Sequence, residues 1–96
     1  MSVRLYIVSY DIASPKRWRH VQKAVRRLCR RGQLSVFICR GTAARIARLE
    51  TELRLLMHPV DDRLMVIDLG PAETAAAKLK AFNSLTDISD LGGIVL

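Results

Sequence analysis

The sequence predicts a single α+β domain in which β-strands alternate with α-helices. Residues 3–10 are rich in β-branched and aromatic residues, with apolar side chains on both alternating faces, which is typical of a covered central strand. Two later segments, 18–28 and 46–56, place apolar residues at the spacing of one helical face. Of the 96 residues 50% are hydrophobic, so the chain can bury one modest core.

The first strand ends at Asp11, and a helix follows it. Ser14 is a helix-capping residue, and Pro15 suits the first helical position. We expect this helix to run to about Arg31 and to end at Gly32. Its apolar stripe consists of Trp18, Val21, Val25 and Leu28.

A second strand, a second helix and a third strand follow. Residues 33–39 alternate between two faces, and Gly41 ends that strand before Thr42 caps a helix that stops at His58-Pro59. Residues 64–69 form the third strand. The pattern alone therefore predicts a βαβαβ order.

The C-terminal part has weaker signals. Residues 72–82 have the composition of a short helix, 83–93 of a loop, and 94–96 of an edge strand that needs a partner. The chain contains no internal repeat, low-complexity tract or interdomain linker.

Positive charge is concentrated in the first half of the chain. Residues 1–48 carry 12 lysines and arginines against one acid, a balance of +11, whereas residues 49–96 carry 4 against 8, a balance of −4. A concentrated positive field favours a polyanion, because binding releases the counterions condensed on phosphates. We expect nucleic acid rather than anionic membrane, since the basic helix has only the narrow apolar stripe of a core-facing helix.

The sequence also predicts a soluble, cytoplasmic protein. It has no apolar run of about 18 residues and no signal peptide. Cys29 and Cys39 lack the spacing of a zinc site, so we expect reduced, partly buried thiols rather than a disulfide or a metal centre.

Three short motifs follow one another along the chain. The first strand ends in Tyr10-Asp11-Ile12, the basic helix opens with Lys16-Arg17-Trp18-Arg19-His20-Val21, and Gln33-Leu34-Ser35-Val36-Phe37 follows a glycine. In this order and spacing they resemble the CRISPR-associated protein two family, over about residues 3–69. Each motif alone is weak, and together they are fairly specific.

The resemblance implies a ferredoxin-like βαββαβ sandwich that forms a two-fold homodimer. Residues 33–41 would then bend into two short antiparallel strands. Residues 1–70 would form the core domain, and residues 71–96 a C-terminal extension whose short helix and edge strand join the dimer.

Asp11 is the candidate catalytic and metal-binding residue. A carboxylate at the end of a central strand, beside a helix start, is well placed for a ligand site. The resemblance implies that Mg²⁺ or Mn²⁺ is shared between the two Asp11 side chains of a dimer. The alternative is a turn residue whose carboxylate caps local N–H groups.

The basic side chains are candidates for binding nucleic acid. Arg17 and Arg19 lie near Asp11 in sequence and are predicted to hold a phosphate. The remaining cations would follow a phosphate backbone, although a solvated helix face is the alternative. They are Lys16, Arg26, Arg27, Arg30 and Arg31. Ser35 and Phe37 match family positions near the site, and ordinary strand packing is the alternative for both.

The resemblance supports two functions. One is a Mg²⁺-dependent endonuclease that cuts RNA or DNA during spacer acquisition beside the CRISPR integrase. The other is a non-catalytic adaptor dimer that holds DNA within the integrase complex. A toxin-like ribonuclease with the same fold is a third alternative.

Overall fold

A computed structural model describes residues 2–86 and 94–95 of the chain, and its centre is a four-stranded antiparallel sheet. The elements are β1 (Arg4–Asp11), α1 (Pro15–Arg26), β2 (Cys29–Gln33), β3 (Val36–Gly41), α2 (Ala43–Leu56) and β4 (Arg63–Pro71). The strands lie in the order β2-β3-β1-β4. The ferredoxin-like βαββαβ arrangement is therefore confirmed, and the βαβαβ order predicted from the pattern alone is wrong.

The first helix begins as predicted and ends earlier. The Oγ of Ser14 accepts a hydrogen bond from the backbone N–H of Arg17 at 3.3 Å, and proline occupies the first turn. However, α1 ends at Arg26, five residues before the predicted end at Arg31. The next residues form β2 because they pair with β3, and this pairing overrides their helical composition.

The β2–β3 hairpin is correspondingly displaced toward the N-terminus. The predicted bend lay within residues 33–41, whereas the hairpin begins at Cys29 and turns at Leu34 and Ser35. Leu34 is therefore exposed in the turn rather than aligned with Val36 on one strand face.

The main core lies between the sheet and the two helices. Tyr6, Val8 and Tyr10 of β1 point toward the helices, so the alternate residues Ser9 and Asp11 point to the opposite face. The other buried members of this core are Val21, Ala24, Val25, Cys29, Phe37, Cys39, Ile46, Leu49 and Leu53.

The C-terminal segment covers part of the opposite face. The predicted helix 72–82 is shorter in the structure, where α3 (Ala72–Ala75) continues into a 3-10 turn (Ala76–Lys78). Two short strands follow, β5 (Lys80–Ala81) and β6 (Ile94–Val95), and they pair in parallel within this chain. Residues 87–93 of the predicted loop lie outside the described residues, and the role of the terminal strand in a dimer stays a prediction.

Part of the opposite face keeps exposed apolar side chains. Met65 and Ile67 of β4 are 56% and 41% exposed, and they lie beside Ser9 and Ile7 of β1 in the strand register. This partly uncovered face adjoins Asp11, which is the last residue of β1.

The two cysteines form a disulfide, so the expectation of reduced thiols is wrong in this structure. Cys29 was expected within a helix, but it is the first residue of β2 and lies directly opposite Cys39 in the antiparallel ladder. Their Cα atoms are 4.1 Å apart, which brings the two side chains together. The spacing of the cysteines in the sequence gives no sign of this pairing until the hairpin is known.

The cytoplasmic location stays a prediction, and the disulfide removes the expected reduced thiols as an argument for it. Within residues 2–86 and 94–95, no helix has the length and apolar content that crossing a membrane requires.

Reducing the Cys29–Cys39 disulfide is expected to destabilise the fold. The bridge joins residues separated by 10 positions, and closing a loop of this size stabilises a protein by about 2–3 kcal/mol through the unfolded chain. Urea unfolding with and without a thiol reductant measures this difference. The Cys29→Ala/Cys39→Ala variant is the control and should not respond to reductant; an equal lack of response in the unchanged protein would contradict the prediction.

Candidate functional site

Asp11 presents an accessible carboxylate at the end of the central strand. Its side chain is 76% exposed, and its Oδ2 lies 3.6 Å from Nη1 of Arg63, the residue opposite it on β4. A shallow cavity of about 350 Å³ beside it is also lined by Ser9 and Met65. An exposed carboxylate with one arginine neighbour is open to an incoming ligand, since an exposed ion pair is weak.

Asp62 fixes the backbone around Asp11. Its carboxylate accepts hydrogen bonds from the backbone N–H groups of Ala13 at 2.9 Å and His58 at 2.7 Å. Arg17 donates two more, from Nε at 2.8 Å and from Nη2 at 3.2 Å. The side chain of Asp62 is 0% exposed. One carboxylate therefore ties together the loop after β1, the first turn of α1 and the end of α2.

These hydrogen bonds keep Asp62 ionised. The donors of Arg17, followed by the N–H groups of His58 and Ala13, hold the pKa of the Asp62 carboxyl well below its ordinary value, against the opposing effect of burial. Asp62 was not among the site residues predicted from the sequence. Its one signal in the sequence is a pair of adjacent acids, Asp61-Asp62, immediately before a strand.

The structure gives Arg17 a partner other than the predicted phosphate. Its guanidinium lies against Asp62, which raises the pKa of Arg17 through the hydrogen bond between them. Arg17 therefore orients the start of α1, and contact with a phosphate would have to use its remaining N–H groups. Its predicted role in binding nucleic acid stays untested.

The other predicted cations divide between two elements. Lys16, Arg19, Arg26 and Arg27 are exposed on α1 and at its C-terminal cap, and Arg27 pairs with Glu52 of α2. Arg30 and Arg31 lie on β2 instead of on the helix. The two groups are thus presented by different surfaces, and a single helical face does not carry them all.

Arg31 has local partners in the structure. Its Nε and Nη2 donate to the carbonyl oxygen of Leu34 at 3.1 and 2.9 Å, closing the β2–β3 turn. Its guanidinium also lies 5.9 Å from the ring centre of Trp18. At this distance the cation is attracted to the ring face, so Arg31 links the hairpin to α1.

Ser35 and Phe37 occupy structural positions. Phe37 is buried and stacks on Tyr10 with ring centres 5.7 Å apart. The backbone carbonyl of Ser35 accepts a hydrogen bond from the N–H of Tyr10 at 3.2 Å. Burial raises the pKa of Tyr10 to about 12, so its hydroxyl stays protonated at neutral pH. The alternative of ordinary packing therefore fits Phe37.

At the predicted metal site a single chain supplies one carboxylate, that of Asp11. Within the described residues, no group of three or more histidine, cysteine, aspartate or glutamate side chains could hold a metal ion. Asp11 is an exposed hard-oxygen donor, which fits Mg²⁺ because this ion keeps several waters and often binds through one or two carboxylates plus substrate phosphates. The donor set fits a site completed from outside the chain and does not fit a closed structural site.

Comparison with known proteins adds a sequence match over most of the chain. The family model described as CRISPR associated protein Cas2 matches residues 4–76. A protein of Geobacter sulfurreducens named CRISPR-associated endoribonuclease Cas2 is 37% identical over 83 residues, which cover 86% of this chain and 87% of that protein. CRISPR-associated endoribonuclease Cas2 1 of Rhodospirillum rubrum is 40% identical over 84 residues, 83% of this chain and 82% of that protein.

Solved structures share the same fold. A hypothetical protein, TT1823 from Thermus thermophilus, superposes with a TM-score of 0.66 and 28% identity over 72% of this chain and 95% of that one. Streptococcus pyogenes Cas2 at pH 6.5 gives a TM-score of 0.60 and 30% identity over 65% of this chain and 81% of that one.

Asp62→Asn is expected to lower stability at neutral pH and to flatten its dependence on acid. The pKa of Asp62 is lower in the folded chain than its ordinary value of 3.8. Its stabilising effect is therefore present above that value and is lost as the pH falls further. Thermal unfolding at a series of pH values should show the unchanged protein losing stability more steeply in acid, until the two curves converge.

Asp61→Asn is the matched control, because Asp61 is adjacent and exposed, and its carboxylate lies 3.5 Å from Nδ1 of His58. Its curve should run close to that of the unchanged protein. Parallel curves for all three proteins would show that the buried carboxylate does not stabilise the fold.

Proposed function

Because this chain belongs to the CRISPR-associated protein Cas2 family, we propose that it is a metal-dependent endoribonuclease acting in CRISPR adaptation. The observation that carries the proposal is the exposed carboxylate of Asp11 at the end of β1, on a backbone fixed by Asp62. We propose RNA as the substrate because the curated relatives are named endoribonucleases.

Two copies of the chain would complete the metal site. The exposed apolar side chains of Met65 and Ile67 lie on the same sheet face as Asp11, so a second copy packed there would shield them from water. A two-fold axis near the end of β1 would bring the two Asp11 carboxylates together. Homodimer formation and Mg²⁺ or Mn²⁺ binding by Asp11 are thus parts of one proposal.

A metal ion bound there would polarise a phosphodiester and lower the pKa of a water molecule that attacks it. The chain's own residues position the substrate. Arg63 offers a cation beside Asp11, and Lys16 and Arg19 are exposed on the first turns of α1, close in sequence to Asp11. Guanidinium groups at such positions hold a phosphate and stabilise its developing charge.

A non-catalytic adaptor is the second candidate function. The observation that favours it is the charge of residues 1–48, where 12 cations accompany one acid. Many cations serve contact with a phosphate backbone, whereas one carboxylate per chain limits the chemistry. In this role the dimer would hold DNA while the CRISPR integrase inserts a new spacer. No described contact favours a toxin-like ribonuclease over these two.

Asp11→Asn is expected to abolish metal-dependent cleavage of RNA while leaving fold and binding intact, since the carboxylate is exposed and pairs only weakly with Arg63. The measurement is cleavage by the purified protein with Mg²⁺ and with a chelator. Ser9→Ala, at the same cavity, is the control and should keep at least part of the activity.

Cleavage that survives both Asp11→Asn and the chelator would exclude the proposed chemistry. If the unchanged protein cuts no nucleic acid yet supports spacer acquisition, the adaptor is the correct function. If Asp11→Asn blocks acquisition although binding persists, the carboxylate acts chemically in the cell.

Binding to duplex DNA is expected to be independent of sequence and strongly dependent on salt. If about 6 phosphates are contacted, the logarithm of affinity should fall with the logarithm of salt concentration at a slope near −5. Fluorescence anisotropy across a salt series measures the slope, with two unrelated sequences for comparison. Charge reversal at Arg26 and Arg27 should weaken binding without unfolding the domain, whereas a flat salt response would contradict backbone binding.

A further inference from the structure

The two helices enclose a groove with an excess of positive charge, which the sequence analysis did not single out. Ala24, Arg27 and Leu28 line it from the α1 side, and four residues line it from α2. The latter are Arg45, Arg48, Leu49 and Glu52. The groove has a volume of about 280 Å³, an apolar floor and three guanidinium groups against one carboxylate.

The single carboxylate does not neutralise the arginines of α2. Glu52 lies one turn beyond Arg48, a spacing at which the two side chains could pair, yet it contacts Arg27 instead. Within residues 2–86, Arg45 and Arg48 have no carboxylate partner. The groove therefore keeps a net positive charge that no described part of the chain balances.

The position of these arginines is unfavourable for the helix itself. Arg45 lies in the first turn of α2 and Arg48 in the next, and the first turn contains no acid. The N-terminal end of a helix carries a partial positive charge, so cations there are destabilising, and two like charges three residues apart repel each other. Folding alone does not account for this pair of arginines, whereas an anionic ligand does.

We propose that this groove between α1 and α2 is a binding site for the phosphate backbone of nucleic acid, separate from the site at Asp11. The groove is continuous with the exposed cations of α1. Arg27 lines the groove, and the exposed side chains of Lys23 and Arg26 precede it on the same helix. A row of cations along a helix matches a ligand with repeated phosphates better than a single small anion.

The topology places the groove at the other end of the sheet from Asp11. Asp11 is the last residue of β1. At the other end, Gly41 pairs with Arg4 at the start of β1. Gly41 lies next to Arg45 and Leu28, which line the groove. The 8 residues of β1 separate the two ends by about 25 Å at the usual rise per residue. A phosphate held in the groove thus lies far from the candidate cleavage site, and the groove serves retention rather than chemistry.

This inference rests on the proposed nucleic-acid role, and its test is independent of cleavage. The test uses the full chain carrying Asp11→Asn, in the presence of chelator, with duplex DNA of arbitrary sequence as the probe. Adding Arg45→Ala/Arg48→Ala should lower affinity and make the salt slope shallower by about 2, one unit for each lost phosphate contact. Adding Glu52→Gln should tighten binding, because it releases Arg27 from its carboxylate.

The matched control is Arg54→Ala/Lys78→Ala, which removes the same charge outside the groove. Arg54 lies 3.9 Å from Glu50, and Lys78 donates to the carbonyl oxygen of Leu69. This control should leave the salt slope unchanged. Thermal unfolding of the Arg45→Ala/Arg48→Ala variant should show no loss of stability, which separates lost binding from lost fold.

Equal slope changes in the groove variant and the control would overturn the inference, because binding would then follow net charge alone. An unchanged slope in the Arg45→Ala/Arg48→Ala variant would also overturn it. So would a variant that loses affinity for an acidic protein and keeps its affinity for DNA. If the unchanged protein never cleaves RNA while the groove variant still loses DNA affinity, the nuclease proposal fails and the groove remains. If the unchanged protein binds no DNA, the groove proposal fails.

Discussion

The buried carboxylate of Asp62 is the constraint on which the candidate site depends. It is hydrogen-bonded to three segments at once: the loop after β1, the first turn of α1 and the residues just after α2. A fully buried charge is tolerated only when it is paired and hydrogen-bonded, and Arg17, Ala13 and His58 together meet this requirement. The path of the chain just after Asp11, and the orientation of Arg17 at the start of α1, are thus tied to one acid just before β4.

The two ends of the sheet have different chemistry. At one end an accessible carboxylate lies beside a partly uncovered apolar face, and at the other three arginines line the groove between the helices. This separation would let one small domain carry out both proposed functions, because contact with a phosphate backbone does not require the carboxylate. The distribution of charge along the chain follows the same division, since α1 and the first turns of α2 carry their cations in the half that contains Asp11 as its only acid.

Local signals predicted much of this structure, and pairings between distant segments account for what they missed. The caps at Ser14 and Thr42 are short-range interactions, and both helices begin where they were predicted. The end of α1 was mistaken because Cys29, Arg30 and Arg31 have a helical composition, while their conformation is set by pairing with β3. The Cys29–Cys39 disulfide, the Asp62 contacts and the Asp11–Arg63 pair were missed for the same reason. Each joins residues that only the completed sheet brings together.

The central position of β1 has a consequence for how the protein is made. The ribosome synthesises this strand before both of its neighbours, and β4, which carries the arginine opposite Asp11, emerges more than 50 residues later. Until then the apolar faces of β1 have no lasting cover, and such segments are bound by chaperones or aggregate. The nascent chain therefore acquires its site only after translation has passed β4, so a truncated product would hold Asp11 without the geometry around it.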